Sequence, residues 1–447
     1  NIELLKFEKT FTITTGHQLN LFTGPAYFIY KIASTINLCK QLKEKYSDYN
    51  FVPIYWMATE DHDFEEINHF NLKEKKIKWE RESSGPVGRL STEGLDKVFE
   101  EFSKAIGIGS NAEYLKELFK KSYLEHSNLA KATRFLANEL FSTEGLVIID
   151  GDDKNLKTLF APYIKDELIH QNSFRTVSKT INQLKNYTIQ VNPREINLFY
   201  IEDHLRERII LENNIYKINN TEIQFSEVEI LELLQNSPEK FSPNVILRPL
   251  YQEVILPNLA YIGGGGEIAY WLELKNNFNS QKVTFPILML RNSFVVATEK
   301  QIEKIDKLHL SWSELFLPQQ ELVHQKTKEI SIFKIDFSEQ KETLKQQFSE
   351  LLKIAAQTDK SFIGAVKAQE VKQIKGLENL EKRLLKAEKR IHIDKLDRII
   401  NIQNQLFTKG SLQERKSNFS EFYSKEFIKN VVSLSNPLKT EFKIIEI

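Results

Sequence analysis

The chain has 447 residues, in which 61 lysines and arginines balance 61 aspartates and glutamates. A net charge of zero gives no electrostatic reason to expect a nucleic acid or a membrane surface as partner. Hydrophobic residues make up 41% of the chain, which is typical of a globular protein of about two to four domains. The sequence has no recognisable signal peptide and no apolar run of the about 18 residues that a membrane span needs.

Cys39 is the single cysteine, so no disulfide can form within the chain. It lies on the apolar face of a predicted helix, where we expect a buried thiol. This use of cysteine fits a reducing compartment, and we expect the protein in the cytoplasm. The sequence begins at Asn1 rather than at Met, so we expect a leading segment to precede it.

The N-terminal stretch predicts a β-strand, a polar turn and a long helix in succession. Residues 11–15 favour a strand, and Pro25 favours the start of a helix with an apolar face. Unpaired N–H groups at such a helix start can hold an anion, although an ordinary capped βα unit explains the pattern equally well. The candidate residues of this turn are Gly16, His17, Gln18, Asn20, Thr23 and Gly24.

Four apolar runs that end in polar residues predict strands of a parallel sheet. The run 51–58 is nearly continuous, as expected of a strand covered on both faces. Ligands of an open α/β sheet lie beyond the carboxyl ends of its strands, so these four ends predict a single crevice. The polar clusters are 16–20, 60–63, 263–267 and 291–293. A further buried strand is predicted at 145–152.

The second cluster places Glu60, Asp61 and Asp63 around the imidazole of His62. Neighbouring carboxylates favour the protonated imidazole, which suits His62 to proton transfer near neutral pH. A solvated acidic turn, or a divalent metal held by His62 and a carboxylate, are alternatives. We expect no metal, because the spacing is not that of a known ligand set.

The third cluster contains four consecutive glycines, which allow close approach of a ligand and positive φ angles. They lack the G-x-G-x-x-G spacing, so we expect no NAD. A tight turn before a helix is the plainer alternative. Arg248 and Arg291 could each bind a carboxylate or phosphate through two hydrogen bonds, or form a structural ion pair. The glycines are Gly263, Gly264, Gly265 and Gly266, followed by Glu267 and Tyr270.

The last third of the chain predicts a long coiled-coil helix. Apolar residues recur there at spacings of three and four, and Lys, Arg and Glu fill the other positions. Residues of about 340–357 form the expected antiparallel neighbour, and a plain surface helix is the alternative. The stripe consists of Leu377, Leu380, Leu384, Ala387 and Ile391, resumed by Ile399, Ile402 and Leu406.

These patterns predict an α/β core that is interrupted by insertions. An antiparallel meander with Asn-rich turns is expected from 196 to 225, and Ser226 with Glu229 predicts a capped helix. The predicted core consists of 1–66, 145–170 and 243–296. The insertions are 67–144, with a hairpin and helices, and 171–242, with antiparallel strands and a helix. Residues 297–409 form the coiled coil, and 410–447 return to the core.

Taken in order, the motifs resemble the bacillithiol biosynthesis cysteine-adding (BshC) family. The matching segments are 15–25, 56–64, 248–257, 263–271 and 410–415, which together span nearly the whole chain. The resemblance implies a Rossmann-like core with connecting-peptide insertions, similar to class I aminoacyl-tRNA synthetases. It also implies a coiled coil through which two copies form a homodimer.

The resemblance further implies a ligase that adds cysteine to the amine of glucosaminyl-malate, the last step of bacillithiol biosynthesis. Amide formation from a free carboxylate is uphill in water, so we expect an activated acyl group, with ATP as its source. The alternatives are a non-catalytic, nucleotide-binding coiled-coil scaffold and a nucleotidyltransferase that acts on another small acid.

The site residues then receive expected roles. Residues 16–20 and the helix start at Pro25 hold a carboxylate or phosphate, and His62 with Asp61 or Asp63 is the base for the sugar amine. His17 is a further catalytic candidate. Residues 263–267 line the opposite wall, and Arg248 or Arg291 binds the malate carboxylates. The remaining binding candidates are Thr23, Gly24, Glu60, Tyr270, Ser293 and Gln413.

Overall fold

The computed structural model describes residues 1–73, 75–407 and 410–447. Glu74 of the predicted hairpin, and residues 408–409 at the end of the predicted coiled coil, lie outside the described residues. The chain divides into two compact units. The first comprises Asn1–Val295 and Glu414–Ile445, and the second comprises Val296–Gln413 and Glu446–Ile447.

The described strands and helices follow in chain order. The strands are β1 (Thr10–His17), β2 (Asn50–Met57), β3 (His69–Leu72), β4 (Lys75–Lys78), β5 (Val147–Asp150), β6 (Leu198–Glu202), β7 (Leu205–Glu212), β8 (Ile215–Ile218), β9 (Gln224–Phe225), β10 (Phe241–Pro243), β11 (Asn258–Gly263), β12 (Ile287–Leu290), β13 (Ser293–Ala297) and β14 (Phe442–Glu446). The helices are α1 (Tyr27–Lys45), α2 (Phe64–Ile67), α3 (Leu95–Ile106), α4 (Ser110–Tyr123), α5 (Leu129–Phe141), α6 (Lys154–His170), α7 (Asn172–Gln183), α8 (Glu227–Asn236), α9 (Leu247–Ile255), α10 (Gly265–Glu273), α11 (Lys275–Ser280), α12 (Glu299–Lys307), α13 (Trp312–Leu315), α14 (Gln319–Ile330), α15 (Ser338–Ala355), α16 (Lys360–Ile391), α17 (Ile393–Leu406) and α18 (Phe427–Leu434).

A five-stranded sheet in the order β12-β11-β1-β2-β5 forms the core of the first unit. All of its neighbouring strands are parallel, which confirms the predicted Rossmann-like sheet. Four of these strands, β1, β2, β11 and β12, are the runs that were predicted to end in polar clusters. In a parallel sheet these carboxyl ends lie along one edge, as we expected.

The position of a strand in the sheet explains its burial. The strand β2, which lies between β1 and β5, is buried from Val52 to Met57, in agreement with its continuous apolar run. The strand β5 was predicted to be buried, but Val147–Asp150 are only partly so. It lies at the edge of the sheet and has a neighbouring strand on one side only.

Two groups of elements follow β2 and β5, where the sequence predicted insertions, and the bounds of those insertions stay a prediction. The first contains the β3–β4 hairpin and the helices α3, α4 and α5. The second contains an antiparallel sheet in the order β10-β6-β7-β8-β9, with Asn213, Asn214 and Asn220 at positive φ in its turns. The capping box of Ser226 and Glu229 opens α8, as predicted.

Phe22 connects the turn after β1 to the first insertion and to the C-terminal segment. It is fully buried, with φ 46° and ψ 47°. Its ring lies 5.0–5.6 Å, between centroids, from four other rings. These belong to Phe70, Phe102, Phe119 and Phe419. One aromatic side chain thereby packs against segments that are far apart in the sequence.

The second unit contains the predicted coiled coil, but not as one continuous helix. The helix α16 ends at Ile391, and α17 follows after His392. The helix α15 packs against α16 after a short connection, and Lys341 lies 2.7 Å from Glu381 across this pair. Leu380 is 51% exposed and Ile391 69% exposed, so the predicted apolar stripe is only partly covered within one chain.

In the part of the chain that the structure describes, no helix has the length and apolar character that crossing a membrane requires.

Replacing Phe22 with Ala should destabilise the first unit by about 3–5 kcal/mol, because it leaves a cavity among four aromatic rings. Urea unfolding followed by tryptophan fluorescence measures the loss. Phe7→Ala is the matched control, since Phe7 is 60% exposed and its removal should cost little. A Phe22→Ala protein within 1 kcal/mol of the wild type, as an order-of-magnitude threshold, would contradict this account.

Candidate active site

The carboxyl ends of β1, β2 and β11 line a cavity of about 740 Å³. The second insertion forms the facing wall through Phe199, Arg206 and Arg208, together with the loop residues Asn192 and Arg194. The volume lies within the range of about 300–1,000 Å³ that is typical of small-molecule sites. Eight predicted residues line the cavity, namely Gly16, His17, Gln18, Glu60, Asp61, Arg248, Glu267 and Tyr270.

The start of α1 differs from the prediction. The helix begins at Tyr27, two residues after Pro25. The amides of Ala26, Phe28 and Ile29 donate to carbonyl oxygens of Ser417, Pro25 and Ala26, respectively. These three amides are therefore already paired, and the anion site at this helix start stays a prediction.

The C-terminal segment also explains why part of the predicted turn lies away from the cavity. The Nδ2 atom of Asn418 donates to the carbonyl oxygens of Phe22 and Gly24, at 2.7 and 2.6 Å. Thr23 is buried, and Asn20 donates to the carbonyl oxygen of Glu66 at 3.3 Å. None of Asn20, Thr23 and Gly24 lines the cavity.

Two of the four glycines, Gly263 and Gly264, have a structural role in this fold, whereas a Cβ atom on Gly265 or Gly266 would lie in open space among the described residues. Gly263 ends β11, Gly264 is the N-cap residue of α10, and the helix begins at Gly265. None of the four has a positive φ, although positive φ angles were one of the two roles expected of these glycines. A Cβ atom on Gly263 would lie 3.1 Å from Glu267 Cβ, so this glycine permits close packing rather than ligand approach.

Arg291, Ser293 and Gln413 make structural contacts instead of lining the cavity. Arg291 forms a buried ion pair with Glu414 at 2.7 Å, and Ser293 donates to the same carboxylate at 3.2 Å. In the second unit, Gln413 accepts from the amide of Val296 and donates to its carbonyl oxygen. Of the two expectations for Arg291, the structural ion pair agrees with the geometry better than ligand binding does.

A buried lysine organises the β1 side of the cavity. Lys31 of α1 lies 2.8 Å from both carboxylate oxygens of Glu267 and also donates to the carbonyl oxygen of Gly16. Tyr261 and the amide of Gly264 donate to Glu267 at 2.8 and 2.9 Å. Burial alone would raise the pKa of Glu267, but Lys31 and these hydrogen bonds lower it to about 2.

His17 lies at the end of β1 against the rings of Tyr27 and Phe28, with centroids 5.3 and 5.1 Å away. Burial, followed by the positive charge of Lys31, lowers the pKa of His17 to about 3. The imidazole is therefore neutral at neutral pH. Its Nε2 atom has no hydrogen-bond partner among the described residues, so it can still bond to a ligand.

His62 is not among the residues that line the cavity. Its Nδ1 atom lies 2.8 Å from Nη1 of Arg206 and 3.6 Å from Oδ1 of Asp61. A guanidinium group can only donate, so Nδ1 accepts this bond and the ring proton is on Nε2. Asp63 caps α2 by accepting from the amide of Glu66. In this arrangement the lone pair on Nδ1 of His62 already accepts a hydrogen bond from Arg206 and is not available to a substrate proton.

Asp61 is held as a carboxylate. Although burial opposes ionisation, hydrogen bonds from Gln18 and from the backbone amide of His62, together with the charge of Arg206, hold the pKa of Asp61 well below its usual range. The Nε2 atom of Gln18 donates at 2.8 Å to both Asp61 and Glu66. Gln18 thereby fixes the acidic turn to the end of β1.

Four arginines line the same cavity, and the sequence analysis identified only Arg248. Arg206 stacks over the ring of Phe199 at 3.8 Å, and Arg194 and Arg208 lie on the same insertion. Arg206 and Arg208 are two residues apart on β7 and so point to one face of that strand. The sequence shows that Arg206 and Arg208 share a face of this strand. It does not show whether that face points towards the core of the first unit.

Arg248 is held by neutral groups. Its guanidinium donates to Gln252 at 3.2 Å and to the hydroxyl of Tyr270 at 3.4 Å. Gln252 in turn donates to Glu253 at 2.7 Å. Among the described residues no carboxylate lies within ion-pair distance of Arg248, so its charge remains available to an anionic ligand.

The described residues contain no group of three or more His, Cys, Asp or Glu side chains placed to hold a metal ion.

Lys31→Met should cost about 3–5 kcal/mol of stability, because it leaves the Glu267 carboxylate without its cation. The double variant Lys31→Met/Glu267→Gln should recover most of this loss in urea unfolding at pH 7. The pKa of Glu267 is lowered, so its contribution is complete above its ordinary value of 4.5 and lost as the pH falls towards 2. The double variant should lack this loss of stability at acid pH. If the loss persists in the double variant, it does not come from Glu267.

Comparison with known proteins places the chain in one family over its whole length. Residues 1–292 match the family model described as "Bacillithiol biosynthesis BshC, N-terminal Rossmann-like domain". Residues 294–447 match the one described as "Bacillithiol biosynthesis BshC, C-terminal coiled-coil domain". A solved structure described as a putative arginyl-tRNA synthetase from Campylobacter jejuni covers 94% of this chain and 89% of its own, at 11% identity and a TM-score of 0.24, too low to support an argument.

Three relatives carry the name "Putative cysteine ligase BshC". The protein from Flavobacterium psychrophilum is 66% identical over 449 residues, and that from Flavobacterium johnsoniae is 63% identical over 450. Both alignments cover 100% of this chain and 85% of the relative. The protein from Christiangramia forsetii is 57% identical over 454 residues, with 100% and 84% covered. The chain therefore belongs to the bacillithiol biosynthesis BshC family.

Proposed function

We propose that this protein is a cytoplasmic carbon–nitrogen ligase that joins the carboxyl group of L-cysteine to the amine of glucosaminyl-malate, the last step of bacillithiol biosynthesis. Family membership and the relatives' name support the cysteine ligase. The observation that carries the choice of acceptor is the presence of four arginines and three carboxylates in the lining of one cavity. An acceptor that carries both carboxylates and an amine matches a lining that contains both charges.

The arginines are suited to the malate end of the acceptor. Guanidinium groups bind carboxylates through paired hydrogen bonds. Arg248 has no carboxylate partner among the described residues, whereas Arg291 is occupied by Glu414. Of the two arginines that the sequence suggested for this role, we therefore assign it to Arg248, together with Arg208 of the insertion.

The amine end of the acceptor then lies near two carboxylates of the cavity lining. Glu60 and Asp61 follow β2 there. An ammonium group is attracted by these carboxylates, which would orient the nitrogen towards the ends of β1 and β2. Holding two reactants in such a geometry is itself a large part of the rate acceleration that a ligase needs.

Formation of the amide requires an activated cysteine carboxyl, and we propose ATP as the source of the leaving group. The free Nε2 of neutral His17 can bond to an oxygen of the activated carboxyl or of a phosphate. Arg206, stacked on Phe199, adds a positive charge on the opposite wall. Groups fixed before the reaction stabilise developing charge without reorganisation.

The purified protein should convert cysteine and glucosaminyl-malate to a product whose mass equals the sum of the substrates less one water, as measured by mass spectrometry. The reaction should require ATP. Serine in place of cysteine should react more slowly, because the site would lose whatever contact it makes with the sulfur.

Arg248→Gln should raise the KM for glucosaminyl-malate at least about tenfold, a loss of roughly 1.4 kcal/mol in binding free energy, with little change in the KM for cysteine.

Arg175→Gln is a control for the removal of an arginine, since Arg175 does not line the cavity. Product formation without ATP would exclude the proposed activation but keep the ligase. No product under any of these conditions, from folded protein, would exclude the ligase and favour the nucleotide-binding scaffold.

We also propose that two copies associate through the coiled coil. Leu380 and Ile391 belong to the predicted heptad stripe and are exposed in the single chain. Light scattering at micromolar concentration should give twice the mass of one chain. Leu380→Lys should shift the mass towards that of one chain, whereas Lys386→Glu on the exposed surface should not. A monomeric wild type would rule out this association.

A further inference from the structure

Glu60 is a buried carboxyl group on the wall of the cavity. It is 7% exposed and follows the carboxyl end of β2 by three residues. Trp56 and Ala58 of the same segment also line the cavity. A carboxyl at this place is within the site, yet it is largely removed from bulk water.

The charges around Glu60 leave it incompletely neutralised. Lys157 of α6 lies 2.9 Å from Glu60 and 2.7 Å from Asp152, so one ammonium is shared by two carboxylates. Asp152 has a second partner, because Arg89 contacts both of its oxygens at 2.7 and 3.0 Å. Among the described residues, Lys157 is the one ion-pair partner of Glu60, and Glu60 shares it with Asp152. Of the two acids, Glu60 is therefore the one that can accept a proton more easily.

The other groups that face Glu60 do not change this balance. Arg206 of β7 lies on the cavity side and favours the carboxylate, and the phenol of Tyr251 on α9 is uncharged because burial raises its pKa strongly. Burial raises the pKa of Glu60, with Lys157 opposing this effect and Asp152 adding to it. A carboxyl that exchanges protons nearer neutral pH is suited to general base catalysis.

His62 is less suited to the same task. It does not line the cavity, and the lone pair on its Nδ1 accepts a hydrogen bond from Arg206. Asp61 lines the cavity, but hydrogen bonds hold it as a weakly basic carboxylate. Glu60 is left as the group with both the position and the basicity.

We propose that Glu60, rather than His62, is the catalytic base that takes the proton from the acceptor amine. This inference rests on the proposed ligase reaction. The acceptor enters as an ammonium ion and loses one proton to solvent. Its nitrogen lone pair then forms the C–N bond with the activated cysteine carbonyl. The bond from that carbon to the phosphate oxygen breaks, its electron pair leaves with the phosphate, and the second nitrogen proton moves to Glu60.

The first test compares Glu60→Gln with His62→Gln in the ligase assay across pH. We expect Glu60→Gln to lower kcat by roughly 10²–10⁴-fold, as for removal of a base, with a much smaller rise in the KM for glucosaminyl-malate because Asp61 still attracts its ammonium. The wild-type rate should rise with pH as Glu60 deprotonates, and Glu60→Gln should lack this rise. His62→Gln should lose far less, and Glu65→Gln is the matched control on the exposed surface.

Glu60→Asp keeps a carboxylate and tests the case in which Glu60→Gln does not fold. It should retain the pH-dependent rise at a lower rate. A kcat of Glu60→Gln within about threefold of the wild type, or a larger loss in His62→Gln, would overturn the assignment. A loss confined to KM would make Glu60 a binding residue instead.

A binding measurement separates this inference from the ligase proposal. Glucosaminyl-malate is titrated into the wild type and into Glu60→Gln by calorimetry, without ATP or cysteine, in two buffers of different ionisation enthalpy. Placement of the ammonium against Glu60 should release protons from this carboxyl, whose pKa burial raises, and the wild-type enthalpy should therefore depend on the buffer. The same dependence in Glu60→Gln would overturn the inference, whether or not the ligase reaction is observed.

Discussion

The ion pair between Lys31 and Glu267 is the constraint on which the architecture of the cavity depends. An ammonium on α1 meets a carboxylate on α10 and the carbonyl oxygen of Gly16 at the end of β1. Because a buried charge without a partner is costly, these three elements can be arranged in few other ways. The pair also fixes Tyr261 and the start of α10, so the ends of β1 and β11 hold their places beside the ligand space.

The same positive charge sets the chemistry of His17. Lys31 adds to the effect of burial in keeping the imidazole neutral, which leaves its nitrogen atoms as one donor and one acceptor. A second buried lysine, Lys157, is shared by Glu60 and Asp152. One buried lysine thus acts on each of two groups in the cavity lining: Lys31 lowers the pKa of His17 together with burial, and Lys157 lowers that of Glu60 against it.

Much of the core was predictable, because buried parallel strands are continuous apolar runs and their polar ends are visible in the sequence. The site was only partly predictable. The pairing of Arg291 with Glu414 joins residues 123 positions apart, and no local pattern records it. Arg206 reaches the cavity only because the second insertion packs against the core. Gly263 shows that close packing of a helix onto a strand can also require a glycine, a role that the four-glycine pattern alone did not distinguish from ligand approach.

The bond from Asn418 to the turn at Phe22 and Gly24 has a consequence for the synthesis of the protein. Its donor lies 396 residues after Phe22 in the chain. A ribosome that adds about 5–20 residues per second needs at least 20 s to reach it. During that time the strand β1 and its helix are present, while two carbonyl groups of the turn between them lack this partner. The N-terminal part of the core can therefore reach its final form only when the last tenth of the chain has been made.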